Sequence, residues 1–258
     1  MTVGSTIQAR VDAGSGALIG YLPVGFPDLA TSIDAAVALV ESGVDVLELG
    51  LPYSDPVMDG LVIQEATQAA LAAGFRVRDV FTAVEGIRSR VDAPVLVMTY
   101  WNPVLQFGVD RFADALRDAG GAGLITPDIT PDSAADWIAT SERTGLDRVF
   151  LAAPSSTDAR IASTVEASRG FVYAVSTMGI TGARQDVDAA ARALVTRLKS
   201  AGAEHACVGI GISTADQVAE VVGYADGAIV GSALVRSLAE GGVAGVARTA
   251  SALADALR

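Results

Sequence analysis

The sequence predicts a (β/α)8 barrel, read as a single domain over residues 1–258, and three observations carry that prediction. Short apolar, β-branched runs alternate with longer segments of helical period along the whole chain. Several of those longer segments close on a glycine, where a helix C′ residue belongs. The length of 258 residues, with 51% hydrophobic residues and no break in composition, suits one barrel with a large core.

The strand-like runs fall near Ala17–Val24, Val44–Leu49, Pro94–Met98, Gly123–Thr126, Arg148–Ala152, Phe171–Val175, Ala206–Gly209 and Ala228–Val230. Between them lie amphipathic segments such as Leu29–Ser42, Val109–Ala119, Ile161–Ser168 and Val187–Ala201, with Gly43, Gly120, Gly145 and Gly202 at the ends of segments. Strands each followed by a helix must be parallel, with helical crossovers. Eight of them close into a barrel; an open doubly wound sheet is the alternative. No GxGxxG follows the first strand, which argues against a dinucleotide fold. In a barrel the active site lies at the C-terminal ends of the strands, so a polar residue there is a candidate and one at the opposite end is structural.

Composition excludes several functions. A formal net charge of −12 repels nucleic acid and anionic membrane, so neither is expected as a partner. Cys207 is the sole cysteine, which rules out an intrachain disulfide and fits a reducing cytoplasm. The opening MTVGSTIQARVDAGSG lacks the basic region and apolar run of a secretory signal. No apolar stretch is long enough to span a bilayer, and a cytoplasmic enzyme is expected.

Two carboxylates pass the positional filter. Glu48 interrupts the apolar run Val46-Leu47-Glu48-Leu49 and shares a strand face with Val46 by period-two alternation. A glutamate facing a barrel interior must protonate or find a partner, and burial raises its pKa into the range of an acid–base catalyst. A structural glutamate bonded to backbone or buried water is the competing explanation. Asp59 lies on the long loop after the same strand, PYSDPVMDG, where its position beside Glu48 outweighs the ordinary turn-forming role of a loop aspartate. Asp55 shares that ambiguity, and Asp45 opens the strand at the wrong end.

The residues that are missing narrow the chemistry. The only lysine, Lys199, sits late in a predicted helix, and the only histidine, His205, precedes the seventh strand at the barrel bottom. Neither a lysine Schiff base nor a histidine-held metal is available, so no metal is expected. Phosphate binding falls to glycine-containing stretches after the late strands: STMGITGAR, VGIGIST and IVGSALV. Backbone amides at Gly211, Gly231 and Ser232, closed by Gly182 from the preceding loop, bind an anion without a lysine cluster. Tyr173 is placed to face the barrel interior with its hydroxyl toward Glu48 or a substrate, with a core tyrosine as an equal alternative. Trp101 and Trp137 are read as packing or interface residues.

In order, LELGLPYSDPVMDG, MTYWNP, STMGITGAR, VGIGIS and ADGAIVGSALV resemble the tryptophan synthase α-subunit family over nearly the whole chain. The resemblance implies retro-aldol cleavage of indole-3-glycerol phosphate to indole and glyceraldehyde 3-phosphate. It gives Glu48 the proton transfers at the indole ring carbon and the side-chain hydroxyl, and Asp59 the indole N–H. It places Tyr21 against the indole, Tyr173 beside Glu48, and Gly182, Gly211, Gly231 and Ser232 at the phosphate. Thr181 matches a loop threonine that bonds the catalytic aspartate. A separate β subunit is the implied partner in an α2β2 heterotetramer, with pyridoxal phosphate held by that partner and no cofactor in this chain. The stretches Asp55–Gly60 and Trp101–Leu105 match the partner interface, with Asp55 and Asn102 as its candidates. Leu61 departs from the family, standing where DGPTIQ has proline. Three alternatives stay open: a stand-alone indole-releasing lyase, a non-catalytic activating subunit, and a sugar-phosphate isomerase or epimerase sharing the phosphate loops.

Overall fold

The computed structural model describes residues 2–175, 184–209 and 211–257. Its strands are β1 (Ala17–Pro23), β2 (Val46–Gly50), β3 (Val95–Met98), β4 (Gly123–Ile125), β5 (Asp147–Val149), β6 (Leu151–Ala152), β7 (Val172–Ala174), β8 (Ala206–Val208) and β9 (Gly227–Val230). The helices are α1 (Val3–Asp12), α2 (Leu29–Glu41), α3 (Leu61–Ala72), α4 (Asp79–Arg88), α5 (Trp101–Phe107), α6 (Val109–Asp118), α7 (Ala135–Thr144), α8 (Asp158–Ala167), α9 (Arg184–Ser200), α10 (Ala215–Val222) and α11 (Ser232–Ala254).

All strand pairings are parallel, in the order β5-β4-β3-β2-β1-β9-β8-β7-β6. The order ends on β5 and β6, which are consecutive in the chain and separated only by Phe150. The run predicted as one strand, Arg148–Ala152, is therefore a single barrel stave in two pieces. Its first piece pairs with β4 and its second with β7. The carbonyl of Val149 accepts from the Thr126 N–H at 3.3 Å, and that of Phe150 from the Tyr173 N–H at 3.0 Å. The nine segments thus form eight staves of a closed TIM barrel.

Glycine ends the helices where the sequence placed it. Gly43, Gly120, Gly145 and Gly202 all have positive φ, between 73° and 105°, a conformation that costs a side-chain-bearing residue energy. Within α11, Gly242 breaks helical geometry at φ 59°, so this long element is two helices joined at a kink.

Period two fills the barrel. Ile19, Val46, Leu96, Ile125, Val149, Phe171, Cys207 and Ile229 make one buried interior cluster. Val3 and Ile7 of α1 join it from below, both completely buried. Burying such a side chain contributes roughly 1.5–3 kcal/mol, so α1 is held as a plug on the bottom of the barrel. Two residues further along the same inward faces come Tyr21, Glu48, Met98, Leu151, Tyr173 and Gly231, and here packing gives way to a cavity.

Candidate active site

The cavity opens at the C-terminal ends of the strands and encloses about 440 Å³, room for a small organic ligand. Glu48, Asp59, Tyr21, Tyr173, Gly211, Gly231 and Ser232 all line it. Thr181 and Gly182 lie outside the described residues. Asp55 and Asn102 stay out of the cavity, exposed on the outer side of the loop after β2 and on α5.

Glu48 projects from the middle of β2 between Tyr21 on β1 and Leu96 on β3, its register partners. It is 1% exposed, and its Oε2 has no hydrogen-bond partner among the described residues. Loss of water, and then the negative charge of Asp59, push its carboxyl up to about 8. A buried carboxyl in this state holds its proton at neutral pH and has a free oxygen facing the cavity.

Asp59 sits at the end of a loop folded by its own backbone. Its N–H donates to the Pro56 carbonyl at 3.1 Å, and the Gln64 amide donates to its carbonyl at 2.7 Å. Partial burial raises its carboxyl to about 6, opposed by a hydrogen bond from the Tyr100 hydroxyl to Oδ1 at 3.2 Å. The same Tyr100 oxygen accepts the Met58 N–H at 2.8 Å, so it fixes both the aspartate and the preceding residue. Tyr100 was not among the residues singled out by sequence, although it follows the C-terminal end of β3 and so met the positional filter. The two carboxylates are thus held about two pH units apart by environment, the pattern of an acid and a base sharing one site.

The two cavity tyrosines are placed by a common device. In the barrel register Tyr21 pairs with Glu48 and Tyr173 with Cys207. Each ring leans toward the C-terminal face, over the residue two positions further on, and in both cases that residue is glycine. A Cβ on Gly50 would fall 2.1 Å from the Tyr21 oxygen, and one on Gly209 would fall 2.2 Å from the Tyr173 oxygen. Any side chain at Gly50 or Gly209 would therefore displace its tyrosine. The Tyr173 hydroxyl consequently lies over Gly209 on the cavity wall, and no hydrogen bond joins it to Glu48 among the described residues.

On the other side of β1 from Glu48 lie the loops after β9 and β8. Gly211 has φ 64°, a backbone conformation that favours glycine. Two helices begin nearby, and their ends differ. The start of α10 is closed by a capping box, in which Thr214 accepts the Gln217 N–H while the Gln217 side chain accepts the N–H of Ser213 and of Thr214. The start of α11 has Gly231 at its N-cap, no side-chain cap and no acidic residue in its first turn. Leu234 and Val235 already donate to the Gly231 carbonyl, so the amides of Ser232 and Ala233 precede the helix's own hydrogen bonds. They give the cavity a positive end suited to an anion. Arg236 lines the cavity on the same side and was also missed by sequence reading.

The barrel bottom holds no comparable constellation. Lys199 Nζ donates to the Glu204 carbonyl at 2.7 Å and pairs with Asp226 at 2.5 Å. His205 is buried, and desolvation lowers its pKa. No lysine or histidine among the described residues lines the cavity, and no group of His, Cys, Asp and Glu among them could hold a metal ion. No helix among them is long and apolar enough to cross a membrane.

On the rim, the loop after β2 meets α5. The Tyr53 and Tyr100 rings stand 5.4 Å apart, and the Asn102 amide donates to the Tyr53 hydroxyl at 3.2 Å. The large hydrophobics left exposed among the described residues are Val57 (77%) and Leu61 (75%), both next to this loop's end, and Leu105 (50%) on α5.

Comparison with known proteins gives a consistent result. A family model described as tryptophan synthase alpha chain matches residues 7–256. The tryptophan synthase alpha chain of Leifsonia xyli subsp. xyli is 74% identical over 252 residues, covering 98% of this chain and 97% of that one. That of Mycobacterium avium is 56% identical over 256 residues, covering 99% and 94%. Among solved structures, Mycobacterium tuberculosis tryptophan synthase superposes with a TM-score of 0.93 at 52% identity, covering 99% of this chain and 98% of that one. Tryptophan synthase subunit alpha of Legionella pneumophila gives 0.91 at 30% identity, covering 100% and 98%.

Proposed function

The chain belongs to the tryptophan synthase alpha chain family, and from that membership we propose a working site in which Glu48 and Asp59 divide the acid–base chemistry. The protein is a carbon–carbon lyase of tryptophan biosynthesis that cleaves indole-3-glycerol phosphate to indole and glyceraldehyde 3-phosphate. Residues 1–258 act as one barrel domain.

The observation that carries the division of labour is the pair of raised carboxyls on one cavity, about 8 for Glu48 and about 6 for Asp59. At neutral pH Glu48 is the protonated member and Asp59 the ionised one. Glu48 gives its proton to the ring carbon bearing the glycerol chain, which makes the indole cationic. Asp59 accepts the hydrogen bond of the indole N–H and offsets that charge. The bond between ring and chain then breaks, its electron pair returns to the ring, and the adjacent hydroxyl loses its proton to Glu48 as it becomes the aldehyde. Glu48 ends protonated as it began, and the protonated ring serves as the electron sink that a lysine or metal supplies elsewhere. Tyr21, Met98, Leu151 and Ile229 form the apolar floor for the ring. Gly211, Gly231 and Ser232 bind the phosphate, which keeps the substrate's charge away from the carboxylates. Gly182 is assigned to the same phosphate site, and Thr181 to the hydrogen bond with Asp59.

The chain pairs with a β subunit in an α2β2 assembly, and pyridoxal phosphate belongs to that partner. Support for the docking face comes from Val57, Leu61 and Leu105, exposed apolar side chains beside Asp55 and Asn102. A cytoplasmic location is supported by the lone cysteine, which suits a reducing compartment.

Indole release from indole-3-glycerol phosphate tests these roles. Glu48→Gln lowers kcat by about 10³ or more, and Asp59→Asn by roughly 10². The kcat/KM profile of the parent chain is bell-shaped, with limbs set by Asp59 near 6 and Glu48 near 8. Wild-type turnover in both variants would remove the carboxylates from the mechanism. Adding a β chain separates a subunit from a stand-alone lyase, which would show full turnover alone and no association.

A further inference from the structure

We propose that Arg236 is a substrate-positioning residue whose guanidinium binds the substrate phosphate from the cavity rim, completing the anion site at the start of α11. This deepens the reading of the reaction given above and rests on it.

Arg236 lies four residues after Ser232, one turn along the same helix face, so both side chains overhang the same side of the cavity. It is the one lysine or arginine among the described residues that lines the cavity. No ion pair engages it among them, although the chain carries 30 acidic residues against 18 basic ones. Other helix arginines are committed: Arg143 to Asp110 and Asp114, Arg197 to Asp158. A cation just past the first turn of a helix is also on the unfavourable side of the helix dipole. An anion seated between the first-turn amides and the guanidinium reverses that sign, because both then attract it.

The placement also orients the ligand. Asp59, the ionised carboxylate, makes its part of the cavity negative and repels a phosphate dianion that enters the wrong way round. Arg236 and the open end of α11 make the part of the cavity beside β9 positive. A molecule with phosphate at one end and an aromatic ring at the other is thereby drawn in with its ring toward the carboxylates. At the exposed rim this attraction is screened by salt, so it acts on binding more than on the bond-breaking step.

The test uses the full chain and the variants Arg236→Gln and Arg236→Lys. Inorganic phosphate and indole binding are measured separately by calorimetry at low ionic strength, and KM and kcat are measured for indole-3-glycerol phosphate. Arg236→Gln is expected to weaken phosphate binding and raise KM by roughly tenfold, since a charge-assisted contact is lost. Indole affinity and kcat should stay within about twofold, and Arg236→Lys should recover most of the phosphate affinity because charge is retained. Equal phosphate affinity in Arg236→Gln and the parent chain overturns the role of the arginine alone. If the parent chain binds neither inorganic phosphate nor indole-3-glycerol phosphate, the assigned reaction falls and this proposal with it.

Discussion

Asp45 lies just before strand β2 and Glu48 in its middle, and the barrel treats these two carboxylates in opposite ways. Asp45, just before the strand, pairs with Arg10 at 2.7 Å and accepts the Leu18 N–H at 2.9 Å. It ties α1 and β1 to the bottom of the barrel. Glu48, three residues on, is buried with an oxygen that meets no donor among the described residues. At the bottom every advantage of the carboxylate goes into holding elements together. At the top the same functional group has an oxygen without a partner among the described residues, which costs stability and raises its pKa toward the range useful for proton transfer.

The sharpest way to break this comparison is to measure what Glu48 costs. Its carboxyl is raised from 4.5 to about 8 in the fold, so ionising it opposes folding. The cost is absent below the unfolded pKa, grows with pH, and levels off above the folded pKa. At neutral pH it is on the order of 3 kcal/mol. Glu48→Gln removes it. Urea titrations should show the parent chain losing stability relative to the variant as pH rises between about 5 and 8. Parallel curves for the two chains would mean that the glutamate is better solvated or better partnered than its burial implies.

The opposite outcome is expected at the other end. Asp45→Ala leaves a buried N–H of Leu18 without its acceptor and frees Arg10, at a cost of about 2 kcal/mol. Because Asp45 lies far from the cavity, kcat and KM should hold at parent values. A catalytic defect without loss of stability would place Asp45 in the wrong class.

The difference between the two ends also marks what a sequence can carry. Alternating apolar runs and terminal glycines were enough for the barrel, because period two and left-handed C′ residues are local properties. The break at Phe150 was not legible, since it depends on which neighbouring stave each half pairs with. Helix α1 was overlooked within a polar stretch. Its apolar contacts, Val3 and Ile7, follow helical spacing but need the barrel bottom to have meaning. Glu48 stood out because an ionisable residue inside an apolar strand is costly in any fold. Tyr100 did not, because its value comes from the Asp59 loop folding back across β3 to meet its hydroxyl.

Tyr100 sharpens the comparison at the active end alone. Its hydrogen bond lowers the Asp59 pKa against the effect of burial. Tyr100→Phe removes that bond and the acceptor for the Met58 N–H, so kcat/KM should fall by roughly tenfold. The acid limb of the pH profile should also move upward, because Asp59 then loses the group that favours its ionised form. A lower rate with an unmoved acid limb would show that the tyrosine packs the loop without tuning the aspartate.

The smallest expected effect concerns Leu61, at the junction between the Asp59 loop and α3. It is the first residue of that helix, with Gly60 as N-cap at φ −71° and ψ 160°. Those angles suit a residue that precedes proline. The first-turn position needs no N–H, because the intrahelical bonds to Gly60 come from Ile63 and Gln64. Proline is therefore compatible with the backbone as it stands, and Leu61→Pro should stabilise the chain by about 0.5 kcal/mol through the unfolded state. The exposed leucine is thus not required by the fold around it, and its apolar surface is free to serve a partner. If thermal melting shows Leu61→Pro to be less stable than the parent, the leucine is packing within the chain. If stability rises and association with a β chain weakens, its surface belongs to the interface.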